Sequence, residues 1–445
     1  MLRILALAGL LLLSLTAPAR PQGLRDLISQ LFIFGSGEQP LFLAGTADPN
    51  NPAAVQAHGD HFIPAAVEGN ANLIAFLTRA IATSAANLPV SATSSGQTFQ
   101  FVGGVPVATS TSPGPIFGER AQTLGRGRVF VGASYTKMRF TSLRGVDLEN
   151  IQVNFTHVNA DFPGCDSVFG ADCSLMGVPT LENEYIELRL SLQLDMTATL
   201  FVLTYGLTDF LDVGAALPIV STTLRGRSEA QVVPFGGPLA THFFAGTRDR
   251  PVLSASRNVE GSATGVGDLA ARIKLRLGRS ERAGFAVLAD ARFPTGSEQD
   301  LLGSGEIAVR TLGIVSARFG DFSPHANVGY LYRSGDQFSD AVVAVAGFDH
   351  ALSPWATVAV DLMAELAAGD SKLSLPDPTT IDVPFRRIIQ PGNIPNRRDD
   401  IVNGALGIKL EAAPGLWVIA NALWPLNRGG LRPNAAWTVA LEYSF

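Results

Sequence analysis

Between residues 186 and 198, Ile186, Leu188, Leu190, Leu192, Leu194, Met196 and Ala198 alternate with Glu187, Arg189, Ser191, Gln193, Asp195 and Thr197. Successive side chains of a strand point to opposite faces, so this period of two gives one apolar and one polar face. The alternation returns over 269–277, 285–293, 326–332, 356–366 and 402–410. A soluble sheet with one wet face would show the same pattern in a single strand. Its recurrence along a chain that is 47% hydrophobic, with a mean hydropathy of +0.23, points to a membrane. Beyond Arg20 no apolar run reaches the ~18 residues of a spanning helix, so the strands must do the spanning.

Strands in lipid can satisfy their peptide groups only by closing into a ring. The pattern predicts an all-β, antiparallel transmembrane β-barrel of about 12 strands, each near the ~9–11 residues that span a bilayer or somewhat longer. The expected spans are 127–140, 184–205, 210–222, 266–277, 283–293, 305–319, 324–333, 341–348, 354–366, 400–411, 416–425 and 435–445. The connections sort by side. Tight turns fall after the even strands, and longer links such as 141–183, 223–265 and 367–399 after the odd ones. In outer-membrane barrels the short turns are periplasmic, and an even strand count puts both termini there.

The last strand alternates to the end of the chain, with Trp437, Val439, Leu441, Tyr443 and Phe445 on one face. A terminal aromatic in this setting is similar to the signal read by the barrel-assembly machinery, which makes Trp437, Tyr443 and Phe445 the candidate assembly signal. The three rings also suit interfacial positions.

The N-terminus reads as an export signal. Arg3 supplies the positive region, residues 4–15 the apolar core, and Ala17, Pro18 and Ala19 the small-x-small cleavage site. Export implies periplasmic chaperones as partners on the way to Gram-negative outer-membrane lipid. The expected division is therefore a signal peptide over 1–19, an N-terminal plug or periplasmic extension over 20–125, and the barrel over 126–445. Residues 20–125 are rich in Ala, Gly, Pro, Ser, Thr and Asn and are mostly irregular. A helix is expected at about 70–87, where Leu73, Leu77 and Ile81 share a face and Pro89 stops it. Plug and extension stand as equal readings.

A net charge of −6 argues against a nucleic-acid partner. Cys165 and Cys173 fit a loop disulfide in an oxidising compartment. Two thiols make only half a zinc site, so no metal is expected there. His58 and His61 flank Asp60 in a flexible segment and read as solvated. No hydrolase, zinc-protease or phosphate-loop motif stands out, so neither an enzyme nor a cofactor is expected.

On this phasing the candidate lumen-facing charges are Glu187, Arg189, Arg272, Lys274, Arg276, Asp290, Arg292, Asp361, Glu365 and Lys409. An Arg or Lys facing lipid at mid-plane costs about 2–4 kcal/mol, so such groups belong inside. They either select solutes by charge or pair with one another and close the pore. Arg272, Lys274 and Arg276 form a basic ladder, the best candidate for touching a solute.

Several motifs carry a family resemblance. They are Tyr205-Gly206-Leu207-Thr208-Asp209, Pro218, Gly265-Val266-Gly267-Asp268-Leu269, Phe293-Pro294-Thr295-Gly296, Leu302-Gly303-Ser304-Gly305 and Asn327-Val328-Gly329-Tyr330. In order and spacing, residues 199–345 resemble the transporter-like outer-membrane family named for the meta-pathway of phenol degradation. The resemblance implies a channel for passive uptake of small hydrophobic or aromatic molecules. The other readings are a structural or adhesive barrel and an outer-membrane hydrolase.

Overall fold

The computed structural model describes residues 23–34, 99–102, 105–108, 117–156, 184–234, 243–247, 249–335, 339–369, 377–381 and 386–445. Thirteen strands matter here: β1 (Val129–Leu143), β2 (Tyr185–Gly206), β3 (Leu211–Val233), β4 (Ser254–Val266), β5 (Leu269–Arg279), β6 (Ala283–Phe293), β7 (Ala308–Ala317), β8 (Phe322–Arg333), β9 (Ala341–Ser353), β10 (Ala356–Ala367), β11 (Ile401–Ala413), β12 (Leu416–Pro425) and β13 (Leu431–Ser444). Leaving out β4, each pairs antiparallel with its neighbours, and β13 pairs with β1, giving a closed 12-stranded barrel. At the seam Val129 and Phe445 exchange both backbone hydrogen bonds, at 2.9 and 3.0 Å. The C-terminal residue thus completes the ring and leaves no edge there.

The outer wall is apolar because the alternation runs in phase around the ring. Phe201, Leu203, Ile273, Phe285, Val287, Val328, Leu362, Leu406, Val439 and Leu441 all project outward. Trp437, Tyr443 and Phe445 lie on the same wall, with Trp437 65% exposed. One end of the barrel carries short turns, at 207–210, 280–282, 318–321, 354–355 and 414–415, and the other carries the long connections.

Strands β2 and β3 pair along their whole length, from Tyr185↔Val233 to Gly206↔Asp212. At about 3.4 Å per residue, the 22 residues of β2 reach roughly 70 Å, far beyond a ~25 Å lipid band. The hairpin therefore stands out past the long-loop end. Its side-chain phase is constant, but its polarity inverts. Near the short turn the outward residues are Phe201, Leu203 and Tyr205; beyond the rim they are Glu187, Arg189 and Asp195. There Leu188, Leu190, Leu192 and Leu194 point inward and are buried.

This corrects the lumen assignment of Glu187 and Arg189. They pair with each other on the outer face at 2.6 Å, and the Arg189 side chain is 71% exposed. Charge marks the inner face only where the outer face meets lipid. Outside that zone the outer face meets water, and the rule reverses. For the same reason β3 runs on to Val233 rather than ending near 222. Its outward residues turn polar at Arg225, Arg227 and Glu229, which in the alternation looks like a loop. The region expected as a loop up to 265 also contains β4, which pairs with β3 from Ser254↔Gln231 to Val266↔Ile219. Strands β4 and β5 lie along the same edge of β3 and are interrupted at Gly267 and Asp268, opposite Pro218. Gly267 N donates to Pro218 O at 2.9 Å across the break.

The N-terminal helix α1 (Leu24–Gln30) seats at the long-loop end. Leu24 and Ile28, one helical turn apart, are buried, as are Leu31, Phe32 and Phe34 after it. They pack onto the inward leucines of β2. Two glycines make the room: a Cβ at Gly226 would lie 2.7 Å from Leu31, and one at Gly261 2.5 Å from Leu27. Arg25 fixes the helix start, with its N donating to Gln299 O at 2.9 Å and its guanidinium pairing with Glu298 at 2.6 Å. The helix expected at 70–87, the Cys165–Cys173 disulfide, and His58 and His61 lie outside the described residues.

Candidate functional site: a chain segment held inside the ring

Residues 117–128 run along the inner wall to the short-turn end and bond to residues from seven strands. Phe117 N and Gly118 N donate to Asp361 Oδ2 on β10 at 3.0 and 3.4 Å. Glu119 is held by main chain and side chain together. Its N donates to Asn327 Oδ1 on β8 at 2.7 Å, and its carbonyl accepts from Asn327 Nδ2 at 2.8 Å. Its carboxylate receives Arg272 Nη1 at 3.1 Å and Lys274 Nζ at 3.0 Å, both from β5. Arg120 forks onto Asp349 of β9, with Nε to Oδ1 at 3.1 Å and a second bond from Nη2 to Oδ2. Ala121 N donates to Ser316 Oγ on β7 at 3.0 Å, and Leu124 N to Asp212 Oδ2 on β3 at 3.0 Å. At the rim, Thr123 Oγ1 donates to Asp209 O, and Gly127 N to Gly206 O at 2.8 Å.

Three side chains at the centre of this grip are shielded from solvent: Arg272 is 7% exposed, Lys274 3% and Glu119 6%. Charges that have lost water must be paired and hydrogen-bonded to be tolerated, and these are. Arg272 also bonds Asp290 at 2.9 Å, and Asp290 receives Arg310 at 2.7 Å, with Arg292 at 4.0 Å. The β5–β7 wall is therefore net positive without Glu119. Further round the ring, past β8, the β9–β10 wall is acidic. Asp349 takes Arg120, and Asp361 takes the two amides and His325 Nε2 at 2.7 Å. The adjacent pair Glu119 and Arg120 thus bridges two walls of opposite sign. Its approach is close: a Cβ on Gly118 would sit 2.2 Å from His325 Nε2, so only glycine fits.

Arg276 lies inward near the short turns, Glu365 meets Arg333, and Lys409 faces Glu442 at 3.5 Å on the far side of the ring. Sequence reasoning missed Glu119, Arg120, Asp212, Ser316, His325, Asn327 and Asp349. One signal was available: Glu119 and Arg120 are the first charged residues after Arg79. A charged pair closing so long a neutral stretch marks a point of attachment.

The motifs behind the family resemblance converge in two places. Asp268 accepts from Gly296 N at 3.0 Å and from Ser304 N and Oγ at 2.8 and 2.6 Å. Thr295 Oγ1 donates to Gly267 O at 2.8 Å and accepts from Leu269 N at 2.9 Å. The β4–β5 break and the 294–305 loop are thereby one knot. The remaining motifs, around Asp209 and Asn327, grip the inner segment. Among the described residues no group of three or more His, Cys, Asp or Glu is arranged to hold a metal.

No protein-family model matches the chain, and no curated protein is similar to it in sequence. Several solved structures resemble it. An outer-membrane channel from Pseudomonas putida F1 aligns at 12% identity over 73% of this chain and 98% of its own, with a TM-score of 0.41. A mutant of TodX, a monoaromatic hydrocarbon channel, aligns at 11% identity over 73% and 92%, with a TM-score of 0.32. A Pseudomonas aeruginosa FadL homologue aligns at 10% identity over 72% and 90%, with a TM-score of 0.31. The barrel architecture itself rests on the strand pairing described above.

Proposed function

We propose that this chain is an outer-membrane channel for the passive passage of small hydrophobic or aromatic molecules, held closed here by residues 117–124. The observation that carries the reading is the inner segment itself. A ring with an apolar outer wall encloses a piece of chain attached mainly by hydrogen bonds and ion pairs, which can be exchanged, with Ala121 as a small apolar contact. The inward leucines of β2 beyond the rim support the hydrophobic preference. They give a solute leaving water an apolar surface, which α1 covers in this state. Asymmetric loops favour placing the short turns and both ends of the barrel domain in the periplasm. Trp437, Tyr443 and Phe445 would then serve assembly and interfacial anchoring. The phenol meta-pathway resemblance agrees with this reading, through motifs that hold the segment and the 294–305 loop.

Planar-bilayer recording tests it. Wild-type protein should show low, intermittent conductance, and the Asn327→Ala variant, which loosens Glu119, a higher open fraction. Silent bilayers for both, with folded protein inserted, would favour a structural or adhesive barrel.

A further inference from the structure

The geometry points to a carboxylate-binding subsite formed by Arg272 and Lys274, in which the chain's own Glu119 occupies the place of a solute. The ligand class is a small organic anion with a compact apolar body. This deepens the channel reading and rests on it for the route by which the solute arrives.

The site is built rather than incidental. Two cations from one strand, both side chains more than nine-tenths buried, approach the two oxygens of one carboxylate at 3.1 and 3.0 Å. An Arg and a Lys set around one carboxylate need not distinguish a tethered one from a free one. The neighbouring Asp290 does not neutralise the pair, because it also faces Arg310 and Arg292.

The second observation is what lies beside the cations. Strand register sets Lys274 opposite Leu288, and Leu288 opposite Leu312. Leu312 lies opposite Gly329 on β8, and Ile314 opposite Asn327. Leu288, Leu312 and Ile314 are buried against Ala121 in this state. Around the ring from Lys274 the wall is therefore apolar for two strands and then falls away at a glycine, whereas from Arg272 it runs to Asp290 and Arg310. If residues 119–121 withdraw, they expose a carboxylate socket flanked by a flat apolar surface, a fit for an aryl carboxylate. Neutral hydrocarbons would leave the buried Lys274 without its carboxylate and Arg272 with Asp290 alone, and an inorganic anion would leave the apolar flank bare.

Glu119 is tethered, so it competes with a free anion and lowers the apparent affinity of the native chain by the fraction of time the socket is vacated. Benzoate is the probe, with toluene and inorganic phosphate as comparisons, and titration calorimetry on detergent-folded protein as the readout. Glu119→Gln should bind benzoate about tenfold or more tighter than wild type, and adding Lys274→Met should remove the gain. Native protein supplies an independent measure. Benzoate should speed tryptic cleavage after Arg120 and Arg126 several-fold, with toluene and phosphate having little effect. Equal benzoate binding by wild type and Glu119→Gln would overturn the proposal, as would toluene or phosphate matching benzoate in either assay. Binding is read without a membrane, so a barrel that binds benzoate yet never conducts would sink the channel reading and leave the subsite standing.

Discussion

A single methyl group decides how closely residues 117–124 approach the wall. Gly118 lies against the buried His325 and Asp361 pair, and overpacking at such a contact costs about 1–3 kcal/mol. Gly118→Ala should leave the ring closed, detach the segment in part, and raise the open fraction in bilayer recordings. Arg189→Ala is the counterpart. Its partner Glu187 shares the water-facing wall of the β2 extension, where exposed ion pairs contribute about 0–1 kcal/mol. Unchanged conductance and a denaturation midpoint within error of wild type are expected. A clear conductance change would show that this pair reaches the solute path after all.

At the scale of elements, Asp268 ties a strand break to a loop. Asp268→Ala would leave Gly296 N and Ser304 N without their acceptor and the Ser304 hydroxyl with Glu306 O alone, and losing such bonds costs about 1–3 kcal/mol. The 294–305 loop should become the first site cut by a non-specific protease, with β6 and β7 still paired. Strand identity was legible in the sequence wherever one wall faces an apolar surroundings: 283–293 and 416–425 match β6 and β12 at both ends. Legibility failed where the surroundings changed and the backbone did not. The outer halves of β2, β3 and β4 keep their alternation with the polar side turned out, and a rule calibrated on the lipid zone inverts their phase. The inner grip was largely hidden. Asn327, Ser316 and Asp349 bind groups far away in the chain, at separations of 208, 195 and 229 residues, and no local pattern encodes such partners.

For the molecule as a whole, the outer wall makes a graded prediction. Val439→Arg puts a charge on the apolar face of the closing strand, with a cost of about 2–4 kcal/mol if it lies at mid-bilayer. Thr438→Arg, one residue away and inward, should cost less in stability and act on conductance instead; denaturant titration of protein folded in lipid vesicles separates the two. If both variants lost stability equally, the assignment of outer and inner walls would fail. Removing Phe445 deletes both backbone bonds to Val129 at the seam, and should lower the yield of heat-resistant folded barrel more than a Phe445→Ala change does.

The placement of the N-terminal residues also constrains how the molecule can be put together. Gly127 sits at one mouth of the ring, Glu119 within it, and α1 beyond the opposite mouth. Residues 117–127 are either embraced as the β1–β13 seam zips shut or drawn in afterwards. A bulky folded passenger fused ahead of Gly23 would obstruct the second itinerary and burden the first, whereas the same passenger spliced into an outer loop would meet no such obstacle.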